Sequence, residues 1–182
     1  MFRIFFLFFL IICPIKASAL IEVDITRGNL NPLPIAVSPL SIDEKSKESF
    51  KKILNKENIG LEISSVVEKN LKTSGLFNPL NKDAFLQAPD IANLKPRFED
   101  WNLIKAQALI TGKVNFDNDK LRVEFRLWDV LAGKEMMALA FTTVPSNWRR
   151  VGHIITDKVY ERLTGEKGYF DTRIIYVAEE GP

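Results

Sequence analysis

The sequence predicts an α+β fold: a small mixed β-sheet with two main helices on one face, preceded by a cleavable signal peptide. Three patterns carry this reading. Leu121, Val123, Phe125 and Leu127 alternate with Arg122, Glu124, Arg126 and Trp128, the period of a strand covered on one side only. Two apolar stripes, Ile63-Val66-Val67-Leu71 and Trp148-Val151-Ile155-Val159-Leu163, recur at spacings of three and four, the period of a helix with one buried face. Strands and helices are mixed along the chain and the long hairpin is antiparallel, which points to α+β.

The start of the chain is an export signal. Arg3 gives a positive beginning, Ile4 to Ile12 is an unbroken apolar run, and Ala17-Ser18-Ala19 is the small-residue pattern that precedes cleavage. The run is about half the length a helix needs to span a bilayer, so cleavage after Ala19 is expected and permanent anchoring or direct membrane insertion is not. Cys13 is preceded by Leu10-Ile11-Ile12, which lacks the small residue of a lipid-modified cysteine, so it reads as part of the apolar stretch. Removing residues 1–19 removes the one cysteine, and with it thiol chemistry and cysteine metal sites. The full chain has 25 basic and 23 acidic residues, but Arg3 and Lys16 leave with the signal. What remains is formally neutral, so the basic pI of 8.6 is no argument for nucleic acid or an anionic surface.

Residues 20–31 come next. Ile21, Val23 and Ile25 alternate with Glu22, Asp24 and Thr26, which is strand-ready, and Gly28, Asn29, Asn31 and Pro32 break the pattern. Pro34 to Ser38 reads as a short buried strand stopped by Pro39. Asp43 to Glu57 carries five Lys and four acids around Phe50, Ile53 and Leu54, and is expected as a solvated loop or a loosely packed helix. The first apolar stripe follows and ends at Ser74-Gly75, then Leu76 to Leu80 is extended. From Asn81 to Arg97, with Pro89 and Pro96, the chain reads as irregular, with a short helix from Pro96 to about Asn102. Ala108 to Val114 reads as a buried strand. The strand at Leu121 to Trp128 turns at Ala132-Gly133 and pairs with Glu135 to Val144. Pro145-Ser146-Asn147 opens the second stripe, with Ser146 or Asn147 expected as cap, and Thr164-Gly165 closes it. Arg173 to Val177 is expected as a last strand.

Catalytic signals are weak. His153, the one histidine, shares a helix face with Asp157 and could hydrogen-bond to it, but no Gly-x-Ser-x-Gly elbow supplies a nucleophile. One histidine without cysteine cannot build a typical zinc site. The acid pairs Glu99-Asp100 and Glu179-Glu180 are sequence neighbours, not facing groups. The scattered glycines form no phosphate loop or dinucleotide fingerprint, so no cofactor, metal or catalytic residue is expected. Arg122, Phe125, Arg126 and Trp128 mix charge with aromatics as nucleic-acid platforms do, but export and neutrality argue against nucleic acid. Trp148-Arg149-Arg150 reads as a core aromatic beside two solvated charges. The rival functional reading is an exported hydrolase or small-ligand-binding domain with a site near His153.

A longer pattern points elsewhere. Trp148-Arg149-Arg150-Val151-Gly152-His153, then Asp157, then Tyr160-Glu161-Arg162-Leu163-Thr164-Gly165-Glu166-Lys167-Gly168-Tyr169-Phe170-Asp171-Thr172-Arg173-Ile174-Ile175-Tyr176-Val177 resembles the domain junction of the TolB family, periplasmic proteins of the Tol-Pal system of Gram-negative bacteria. Asp24-Ile25-Thr26, Gly28-Asn29, Pro32 to Val37, Ser74 to Leu80 and Ala108 to Gly112 match in order, so the resemblance covers nearly the whole mature chain. The stretch Asp43 to Glu57 is longer than the family usually has. The resemblance implies a non-enzymatic periplasmic adaptor supporting outer-membrane invagination during division. Its free amino-terminal segment, Leu20, Ile21, Glu22, Val23, Asp24, Ile25, Thr26 and Gly28, would bind the C-terminal domain of TolA. It further implies that residues 32–166 form the amino-terminal domain. Residues 167–182, with Lys167, Gly168, Phe170, Thr172 and Arg173 after Thr164 and Gly165, would be a linker and the beginning of a β-propeller. Pal would be a partner only where that propeller is present, and a chain ending at Pro182 reads as a fragment or truncated product.

Overall fold

The computed structural model describes residues 31–172. The expected signal peptide, the partner-binding residues Leu20 to Gly28, Arg173 and the strand placed at Arg173 to Val177 lie outside them. In chain order the elements are β1 (Leu33–Val37), β2 (Ser41–Ile42), α1 (Glu44–Leu54), α2 (Ile59–Thr73), β3 (Phe77–Pro79), α3 (Pro89–Leu94), α4 (Phe98–Leu103), β4 (Ala108–Asp117), β5 (Lys120–Asp129), β6 (Lys134–Thr143) and α5 (Trp148–Thr164).

The sheet is mixed, as the sequence predicts. Its order is β3-β1-β4-β5-β6, with β2 also pairing β4. The β1–β3, β1–β4 and β2–β4 pairs are parallel, and β4–β5–β6 is an antiparallel meander. The β4–β5 turn is Asn118-Asp119, both at positive φ (48° and 58°), a two-residue connection whose twist suits a hairpin. On the inner face, Ile35, Ile110, Val123, Phe125 and Leu127 meet α2 (Ile59, Ile63, Val67, Leu71) and α5 (Val151, Ile155, Val159, Leu163). The two apolar stripes therefore bury against one face of the sheet and against each other. Gly152 permits their close approach, since a Cβ there would lie 2.8 Å from Val66 Cγ1.

Three expectations are corrected. The lysine-rich stretch is a docked helix, neither a loop nor loosely packed: Phe50 is wholly buried against the core, edge-on to Phe116 at 5.4 Å, and Ser46 Oγ accepts from the Phe116 amide. Asp43 caps this helix, accepting from the Ser46 amide and hydroxyl, and these bonds, the amide first, hold its carboxyl below the usual value. The region Asn81 to Arg97 is not irregular throughout. It and α4 cover one end of the sheet's outer face, where Trp101 and Ala92 meet Ala36 and Leu109. Gln87 organises this layer, accepting from Trp101 Nε1 and the Arg97 amide and donating to the Lys95 carbonyl. Finally, Asn147 takes the N-cap position of α5 as expected but makes no capping bond: Pro145–Asn147 is a 3-10 turn leading into the helix, and the Asn147 side-chain amide donates to Thr143 Oγ1.

Candidate functional site

The residues after α5 form the site that the sequence singled out as a domain junction. Helix α5 stops because Gly165 takes φ 75°, a left-handed conformation that glycine adopts without strain, and its N–H returns to the Glu161 carbonyl. Thr164 fixes the turn: its hydroxyl donates to the Tyr160 carbonyl at 2.8 Å and accepts from the Glu166 amide at 3.1 Å. The chain then runs back along the helix it has just left. Gly168 lies so close to Asp157 that a Cβ would sit 2.5 Å from the Asp157 Cα, which only glycine allows.

Asp157 holds the returning strand of chain. Its two carboxylate oxygens accept from the amides of Phe170 (2.7 Å) and Asp171 (3.0 Å). Amide hydrogen bonds to an ionised acceptor are short and strong, so this is a clamp at mid-helix. Asp171 continues it by pairing both oxygens with Arg150 at 3.0 and 3.1 Å, an interaction that raises the guanidinium's pKa, chiefly through the hydrogen bond. Tyr160 supplies the apolar part, with its ring 5.6 Å from Tyr169, 5.8 Å from Phe170 and 6.2 Å from Phe77 of β3. Burial pushes the Tyr160 hydroxyl up, with smaller contributions from Tyr169 and Glu166. Lys167 and Thr172 are exposed on this segment. The residues placed in a linker from 167 onward are thus, up to Asp171, packed on α5.

The His153–Asp157 pairing that the helix spacing allows does not form, because Asp157 is engaged with the junction amides. His153 Nδ1 instead meets the Asn70 amide nitrogen of α2 at 2.9 Å, and the same nitrogen donates to Thr156 Oγ1 at 3.2 Å. Thr156 in turn donates to the Gly152 carbonyl, so the group is a polar contact between α2 and α5 beneath the core. Sequence reasoning placed Thr164, Gly165, Gly168 and Phe170 together. The family resemblance set Arg150, Asp157 and Tyr160 in the same string, but helix periodicity carries no signal for the contacts they make with it. Among the described residues no group of three His, Cys, Asp or Glu side chains could hold a metal, and no helix is long and apolar enough to cross a membrane.

The clamp thus fixes residues 168–171 on α5 at the end of the described chain. The family model described as the TolB amino-terminal domain matches residues 21–136. The chain belongs to the TolB family. It is 84% identical over 180 residues to the Tol-Pal system protein TolB of Pelagibacter ubique (strain HTCC1062), a match covering 99% of this chain and 40% of that protein. The chain therefore spans about two fifths of the length of that curated relative. Among solved structures it is similar to the crystal structure of TolB from Acinetobacter baumannii, at 22% identity and a TM-score of 0.62, over 84% of this chain and 33% of that one. That likeness shows the shared TolB fold.

Proposed function

We propose that this chain is a non-enzymatic periplasmic adaptor whose residues 20–28 bind the C-terminal domain of TolA by strand addition, in support of outer-membrane invagination during division. The observation that carries the reading is the 84% identity to a Tol-Pal system protein, joined to the alternating segment Ile21-Glu22-Val23-Asp24-Ile25. An extended segment of this kind adds to an exposed sheet edge, with backbone hydrogen bonds for affinity and alternate side chains for selectivity. Ile21, Val23 and Ile25 would fill pockets while Glu22 and Asp24 face solvent. At the other end, the clamp of Asp157 on Phe170 and Asp171 would orient whatever follows Thr172. In this reading Pal is a partner only of chains that carry the propeller, and signal cleavage after Ala19 delivers the segment to the periplasm as a free end.

No specific observation favours the hydrolase alternative, because the histidine on which it rests is turned to Asn70 and away from Asp157. The adaptor reading is tested by adding unlabelled TolA C-terminal domain to isotope-labelled residues 20–182. Amide shifts concentrated at residues 21–26 are expected. Shifts confined to the body, or none with a well-dispersed spectrum, overturn it.

A further inference from the structure

We draw no further inference here: the strongest candidate, the exposed apolar side chains Leu86, Ile91, Leu94 and Leu103 of the segment that carries α3 and α4 over the outer face of the sheet, carries nothing because nothing in the structure shows what covers them.

Discussion

Replacing Asp157 by Ala should release the junction while leaving the helix that carries it intact. The carboxylate accepts two backbone amides, at 2.7 and 3.0 Å, and nothing else among the described residues holds Phe170 and Asp171 by their amides. A hydrogen bond to a charged group contributes about 1.5–3 kcal/mol net, and the half-exposed setting of Asp157 places the pair together at about 2–3 kcal/mol. Because Asp157 lies on the solvent side of α5 and not among its core residues, the loss is local. At about 1.4 kcal/mol per factor of ten, amide hydrogen exchange at Phe170 and Asp171 should accelerate about 30- to 160-fold. The amides of Ile155 and Val159, in the buried stripe, should keep their wild-type protection. Asp157→Asn, which retains an acceptor oxygen, should fall between. Unchanged exchange at Phe170 and Asp171, or a uniform rise along all of α5, would show that the clamp is not what holds the segment.

Three further substitutions test the fold. Gly60→Ala drives a Cβ to within 2.1 Å of the Leu40 carbonyl, so α2 and the β1–β2 connection must separate, and a loss of about 2–3 kcal/mol is expected in urea titration. Asp43→Ala removes the α1 cap and should cost about 1 kcal/mol at pH 7. Since the folded carboxyl titrates below its unfolded value of about 3.9, that advantage is complete above the unfolded value and fades as pH falls through the folded one, so wild type and variant should converge once the carboxyl is protonated in acid. His153→Ala leaves the Asn70 amide short of an acceptor between α2 and α5 and should lower stability by about 1–2 kcal/mol, measured by the same titration.

Much of the fold was legible because periodicity reports burial directly. The stripes at Ile63 to Leu71 and Trp148 to Leu163 bury as their spacing predicts, and Leu121, Val123, Phe125 and Leu127 all face the core. Charge misled over Asp43 to Glu57, where nine ionisable side chains hid one fully buried ring, Phe50, and a capping pair, Asp43 and Ser46. The six-residue helices α3 and α4 are too short to show a period, and what orders them is Gln87, a polar residue whose partners lie eight to fourteen positions away. The junction was half legible. Gly165 and Gly168 announce a turn and a close approach, but their partners Asp157 and Tyr160 are fixed by the chain's doubling back, which no local pattern encodes. Helix spacing correctly set Asp157 one turn from His153; the competition it could not weigh was from two backbone amides in the following segment.

In the proposed function, residues 20–28 act as a TolA-binding strand carried by an independently folded body. Calorimetric titration of residues 20–182 and of residues 32–182 against the TolA C-terminal domain tests it most directly, with equal thermal stability of the two checked first. Binding by the longer chain and none by the shorter is the predicted result. Equal heats from both would place the contact on the folded body, and no heat from a folded 20–182 would contradict the adaptor reading itself.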